Sequence, residues 1–362
     1  MSILNHPLQM KAAVLVQTRQ PLEIVSGIAL PAPQRGQVLV KLAYSGVCHS
    51  QLMEVRGARG PDAYLPHLLG HEGSAKVLAI GEGVSKVAPG DMVILGWIKG
   101  AGLDGGGVRY ECGCSDHVIN AGAVTTFNEY AVVSENRIVP LPAGVPLDVA
   151  VLFGCALPTG AGIVTNDVKP ASGSTMAIFG LGGIGMSALM ATMLYGCAKV
   201  IAVDVSSEKL ELSRSFGASD VIDATRVDPV EAIRALTNGI GVDYAIEASG
   251  LGAVTEQAFS SVRRGGGTCV FASHPAHGTR ITIDPYELIC GKQIRGSWGG
   301  GTDPDRDIPR LAELYLAGKL PLEKLLTHRY RLDQINQALD DMEHQRVGRP
   351  LIEIDASLGV NR

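Results

Sequence analysis

Short apolar runs broken by turn residues dominate the first hundred positions. Residues 11–16 (KAAVLV), 38–42 (VLVKL), 75–80 (AKVLAI) and 91–95 (DMVIL) are rich in β-branched and aliphatic side chains. Runs of this length between turn residues read as strands. Gly36, Gly70, Gly73, Gly81, Gly83 and Gly90 punctuate them, which predicts a largely antiparallel β domain. From about residue 175 the rhythm changes. Strands are predicted at 176–179, 199–204, 220–222, 242–247 and 268–271, with helical runs at 185–195, 207–216 and 230–237 between them. Strand and helix in alternation imply βαβ units and a parallel sheet. Two further helices, 307–317 and 332–344, precede a last strand at 350–354.

Composition narrows the class. A chain of 362 residues with 46% hydrophobic and 19% charged residues has enough apolar material for two folded domains. Its formal net charge of -5 gives no basic excess for neutralising phosphates, so nucleic acid is not an expected partner. Apolar runs are interrupted well short of the roughly 20 residues that cross a bilayer. The first ten residues lack a basic stretch followed by an apolar one, so the expected location is cytoplasmic, with no membrane partner. Seven cysteines at irregular spacing suit metal binding better than a disulfide framework.

The most specific local signal is Gly180-Leu-Gly182-Gly183-Ile184-Gly185, which matches G-x-G-x-x-G. A predicted strand leads in and a helix leads out, and Asp204 closes the next strand 19 residues after Gly185. That is the arrangement of a dinucleotide fingerprint. Gly180 allows the tight turn, Gly182 lets the backbone approach a pyrophosphate, and Gly185 lets helix and strand pack closely. Free N–H groups at the helix start face the anion. Asp204 accepts from the ribose hydroxyls and repels a 2′-phosphate, so NAD is expected rather than NADP.

Cys48-His49-Ser50, Gly70-His71-Glu72-Gly73 and Gly154-Cys155 offer two thiols, two imidazoles and a carboxylate. Catalytic zinc takes three protein ligands and leaves a position open. Spacing alone does not pair residues so far apart, and a lone cysteine in an apolar run is usually a core residue.

With these motifs in order, and with Gly90-Asp91, Pro158-Thr159-Gly160 and Gly348-Arg349, the chain resembles the medium-chain zinc-dependent alcohol dehydrogenases over nearly its whole length. The resemblance implies an α/β fold: a β-rich, GroES-like catalytic domain (1–157 and 299–362) and a Rossmann domain with a doubly wound parallel sheet (158–298). It implies one catalytic zinc per chain, held by Cys48, His71 and Cys155, with Glu72 close enough to approach the metal. Ser50 takes the alcohol proton. Thr159 and Ile184 contact the nicotinamide, Lys209 supports the adenosine ribose, and His49 and Arg349 lie near the pyrophosphate. The implied activity is hydride transfer between an alcohol (primary, aromatic or polyol) and NAD.

Three departures bear on this picture. Relatives often carry a second zinc on four cysteines, but residues 97–127 contain only Cys112 and Cys114, with His117 as a third conceivable donor. Two thiolates do not complete a closed tetrahedral site. Gln51 stands where relatives have an aspartate that orients a zinc ligand, so the orientation comes without added negative charge. Met53 replaces a histidine that ends the proton relay in some relatives, leaving His49, a ribose hydroxyl or water as the exit. Trp97 is either a wall of the substrate pocket or a packing residue, and His274, His277, Arg56, Arg59 and Arg109 are either substrate contacts or solvated surface groups. Two alternatives remain, a zinc-free quinone or enoyl reductase and a catalytically silent NAD-binding regulator. The complete ligand set argues against both. Small-molecule substrates and a homodimer or homotetramer are expected, with 281–283 as the sheet edge through which copies join.

Overall fold

The structure, a computed structural model, describes residues 8–112 and 118–359. The chain forms two compact units, Met1–Cys155 with Asp303–Arg362, and Ala156–Thr302. Ten strands build most of the first: β1 (Gln9–Leu15), β2 (Glu23–Ala29), β3 (Gln37–Gly46), β4 (His67–Leu68), β5 (Gly73–Ile80), β6 (Met92–Leu95), β7 (Val108–Cys112), β8 (Val118–Ala121), β9 (Tyr130–Ser134) and β10 (Ile138–Pro140). Strands β1, β2, β7, β8 and β4 close into a small barrel. Its interior is filled by Met10, Ala12, Val14, Ile28, Leu68, Tyr110 and Ile119. Tyr110 is fully buried, and its hydroxyl accepts from Val132 N at 2.9 Å. The second half of β1, Ala12–Leu15, is buried on both faces because Ala13 and Leu15 belong to a second core. Side chains on a strand alternate between faces, so a strand packed on both sides is apolar throughout.

In the second unit β11 (Thr175–Phe179), β12 (Lys199–Asp204), β13 (Asp220–Asp223), β14 (Tyr244–Glu247), β15 (Thr268–Phe271) and β16 (Gln293–Gly296) form one sheet. It is parallel throughout, in the order β13-β12-β11-β14-β15-β16. The order reverses between β11 and β14, so the loops following these two strands diverge and leave a crevice at their carboxyl ends. The predicted edge at 281–283 is not a strand. Thr282 N donates to Glu256 Oε1 on the helix Gly252–Ser261, and Ile283 packs on the core of the sheet. The edge is β16 instead.

The chain then returns to the first unit through the helix Pro304–Leu316, β17 (His328–Arg331), the helix Ile335–Glu343 and β18 (Pro350–Glu353). Strand β18 pairs with β3 and completes the sheet β10-β6-β5-β3-β18-β17, with β9 also on β3. Ile335, Ala338 and Leu339 of the returning helix pack on Ala13 and Leu15. The units divide after Cys155 and after Thr302, where the sequence reading placed the breaks after 157 and 298. Local packing sets the observed limits. Thr302 Oγ1 donates to Pro158 O at 2.8 Å, and a Cβ on Gly160 would lie 2.1 Å from Ile184 O, so both segments join the second unit.

Candidate metal centre and dinucleotide cradle

The metal donors all belong to the first unit. Strand β3 ends at Gly46, and Cys48 is the N-cap of the short helix His49–Val55. Gln51, at the third helical position, accepts from Cys48 N at 3.0 Å through Oε1. This is the reciprocal half of a capping box. With Oε1 engaged, its Nε2 faces and hydrogen-bonds His71 Nδ1. One amide therefore orients two of the three donors. His71 follows Gly70, whose φ of +88° and contact with Thr126 (a Cβ would lie 2.3 Å from Oγ1) leave room for glycine alone. Cys155 follows a 3₁₀ turn, Val151–Gly154, whose last carbonyl accepts from Trp97 N.

These elements bring Cys48, His71 and Cys155 together. His71 Nε2 lies 3.3 Å from Cys155 Sγ, and the two sulfurs are 4.0 Å apart. Zinc bonds of about 2.3 Å to sulfur and about 2.0 Å to nitrogen put tetrahedral neighbours roughly 3.5–3.8 Å apart. The donor set therefore fits that ion in size and chemistry. Its electrostatics agree. The Cys48 thiol is pushed well down by the hydrogen bond from Cys155, with help from His71. Cys155 is pushed up by the Cys48 thiolate beside it and by burial. Burial pulls His71 down, but hydrogen bonding and attraction from Cys48 leave it raised overall. Two thiols and an imidazole that share protons in this way are poised to exchange them for a divalent cation.

Ser50 Oγ is buried with no hydrogen-bond partner among the described residues, and His49 beside it is exposed. Glu72 and Arg349 form a buried pair in which both carboxylate oxygens meet the guanidinium. Burial raises Glu72 despite the opposing charge of Arg349. Approach of Glu72 to the metal would require that pair to open. Arg349 Nε remains buried without a partner among the described residues.

The second unit supplies the cradle. Gly180 follows β11 at φ +84°, and a Cβ there would lie 2.8 Å from Ser249 N. A Cβ on Gly185 would lie 1.9 Å from Gly180 O, whereas one on Gly182 would meet no atom of the described residues within 4 Å. The three glycines thus serve turn, packing and open approach as the motif requires. Gly182 caps the helix Gly183–Thr192, which leaves its N–H groups available to an anion. Asp204 closes β12 with a carboxylate preset by Leu181 N (2.6 Å), Val205 N (2.8 Å) and Ser206 N (2.9 Å). Lys209 lies in the first turn of Ser207–Ser215, and Ile184 in that of Gly183–Thr192. Thr159 is buried with Oγ1 unpartnered among the described residues.

Glu247 escaped the sequence reading. It closes β14 opposite the glycine turn, buried and raised by that burial. Its Oε1 accepts from Ser249 N at 2.6 Å and Gly250 N at 2.9 Å, shaping the loop against which Gly180 turns. The available signal was an acidic residue ending an apolar strand, as in Asp204.

Arg56 is tied to Asp340 and Glu343, and Arg59 to Glu54, so both are engaged in ion pairs within the first unit. His274 and His277 are exposed, as is Arg109. Cys112 is disulfide-bonded, which removes its thiol from any metal set. Cys114 and His117 lie outside the described residues.

Comparison with known proteins agrees with this geometry. Residues 34–143 match the alcohol dehydrogenase GroES-like domain and residues 183–317 the zinc-binding dehydrogenase domain. S-(hydroxymethyl)glutathione dehydrogenase of Haemophilus influenzae is 31% identical, covering 96% of this chain and 98% of its own. The chain belongs to the medium-chain, zinc-dependent alcohol dehydrogenase family. Among solved structures, the alcohol dehydrogenase zinc-binding domain protein of Burkholderia ambifaria is 32% identical with a TM-score of 0.87, over 96% of this chain and 99% of that one. Benzyl alcohol dehydrogenase of Acinetobacter calcoaceticus is 31% identical with a TM-score of 0.85 and the same coverage. Zinc and NAD are the cofactors of this family, and alcohol–carbonyl interconversion is its chemistry. No single helix among the described residues is long and apolar enough to cross a membrane.

Proposed function

We propose that this alcohol dehydrogenase oxidises primary alcohols to aldehydes, aromatic ones foremost, with NAD as hydride acceptor, and runs the reverse reaction on the same residues. Convergence of Cys48, His71 and Cys155, with the buried Ser50 hydroxyl two residues after Cys48 unpartnered among the described residues, carries the reading. The aromatic preference follows the named substrate of the Acinetobacter relative and Trp97, whose backbone lies against Gly154. Bound zinc would supply Lewis acidity toward the substrate oxygen, and bound NAD the hydride-accepting ring.

The chain's own residues do the rest. Cys48 Sγ, His71 Nε2 and Cys155 Sγ would hold the ion, with Gln51 Oε1 fixing the Cys48 backbone. Ser50 Oγ accepts the substrate's hydroxyl proton, and exposed His49 passes it to solvent. Gly180, Gly182, Gly183 and Gly185 would admit the pyrophosphate, Asp204 and Lys209 would hold the adenosine ribose, and Thr159 and Ile184 would contact the nicotinamide, while Arg349 braces the buried Glu72 carboxylate in the first unit. We assign the protein to the cytoplasm, where NAD is plentiful. We further infer a homodimer or homotetramer, supported by the unpaired edge of β16 and by exposed Tyr286, Leu288 and Ile289 beside it.

A panel of benzylic, linear, polyol and glutathione-adduct alcohols, followed by NADH formation with parallel zinc analysis, tests the proposal. Fastest turnover on benzylic alcohols by protein holding one zinc per chain is the expected result. Turnover undiminished after complete zinc removal would overturn it.

A further inference from the structure

Beyond the catalytic centre, the first unit holds a second convergence of metal-binding atoms, from Glu54, Asp62 and His67. We propose that these three residues form a site for a divalent transition cation, distinct from the catalytic one. His67 Nε2 lies 2.8 Å from Asp62 Oδ2 and 3.8 Å from Glu54 Oε1. The side chains are only 9%, 12% and 25% exposed for His67, Asp62 and Glu54. This is a recessed cluster, unlike the solvated carboxylates of an ordinary surface.

Each donor is braced from behind. His67 Nδ1 lies 3.0 Å from Leu68 O, which can only accept, so Nδ1 carries a hydrogen. In the neutral ring the Nε2 lone pair then points at two carboxylate oxygens. Three acceptors facing one another require a cation between them, either a proton on the ring or a metal ion. Asp62 Oδ1 accepts from Tyr64 N at 2.8 Å, which leaves Oδ2 toward His67. Glu54 Oε2 lies 3.4 Å from Arg59 Nη1, which leaves Oε1 toward His67. A ring nitrogen held by a backbone carbonyl and carboxylates held through their second oxygens are the outer supports that orient ligands around a metal. One nitrogen and two carboxylate oxygens suit zinc, cobalt or manganese better than calcium, which takes six or more oxygens.

The site's place in the fold suggests its use. Glu54 lies near the end of the helix that begins after Cys48, and His67 opens β4, just ahead of Gly70-His71. A cation here would tie together the two segments that carry two of the three catalytic donors. Protein isolated without added metal keeps the single catalytic zinc, and the second ion enters on titration.

The test is equilibrium dialysis of the zinc-loaded enzyme against increasing zinc, with metal counted per chain, on the wild type and on His67→Gln, Asp62→Asn and Cys112→Ser. The expected result is two ions per wild-type chain at saturation. His67→Gln and Asp62→Asn should bind one, while their NADH-forming activity without added zinc matches the wild type. Zinc should also raise the Tm of the wild type but not of these two variants. Glu54→Gln, the most exposed of the three, provides the same reading if either variant fails to fold. A wild type that saturates at one ion would show that only a proton bridges the cluster and would overturn the proposal. So would a second ion that survives both His67→Gln and Asp62→Asn, or one lost only in Cys112→Ser.

Discussion

Ser50 and Gln51 are neighbours with separable duties. Ser50 Oγ is a buried hydroxyl with no partner among the described residues, which is costly unless a ligand satisfies it. Ser50→Ala should lower kcat by about 10²–10⁴-fold, the span of a lost general acid–base group, while zinc content by elemental analysis stays at one. Loss of the metal together with activity would instead assign Ser50 a structural part. Gln51 presents an N–H donor to His71 Nδ1, whereas an imidazole that ligates through Nε2 carries its hydrogen on Nδ1 and needs an acceptor there. Gln51→Asp should therefore tighten zinc binding by about tenfold or more, as changes in a ligand's outer support do. Chelator competition measures this. Both residues were visible in the sequence as types, but the lack of a partner for one and the two contacts of the other follow from folding.

At the scale of elements, the glycine turn and the buried pair carry the sharpest consequences. A side chain at Gly185 would meet Gly180 O at 1.9 Å. Gly185→Val should thus separate helix Gly183–Thr192 from β11 and cost several-fold in NAD affinity as well as about 1–3 kcal/mol of stability, read by fluorescence titration and urea unfolding. Arg349 precedes β18 and Glu72 precedes β5, so their pair links the returning chain to its first half. Arg349→Met should destabilise by about 3–5 kcal/mol because it strands a buried carboxylate, and adding Glu72→Gln should recover much of that loss. On the second unit, Glu287 is held down to about 2 from an ordinary 4.5 by hydrogen bonds from Arg264 and Lys292. A folded value below the unfolded one means that this stability is complete above about 4.5 and drains away as pH falls toward 2. Glu287→Gln should therefore melt earlier than the wild type at neutral pH and converge with it in acid. Long periodic elements such as β12 and Ser207–Ser215 were legible in advance. The two-residue β4 and the half-exposed β2 were not, because neither holds enough alternation to mark a face.

For the whole molecule, the sequence by itself determined the two-part organisation, the parallel sheet and the dinucleotide motif. Periodicity changes where strands begin to alternate with helices, and G-x-G-x-x-G with Asp204 is a local motif whose parts lie within one βαβ unit. Cys48, His71 and Cys155 were named only through likeness to a family, since nothing local links residues so distant in sequence. Tertiary structure decided which donors meet, that Glu72 and Arg349 neutralise each other, that Arg56 is bound to a C-terminal helix, and that the sheet ends at β16 rather than at 281–283. Each of these is a contact between segments far apart along the chain. Such contacts arise from packing against shared cores, as where β1 meets Ile335 and Leu339, and short-range propensity carries no record of them.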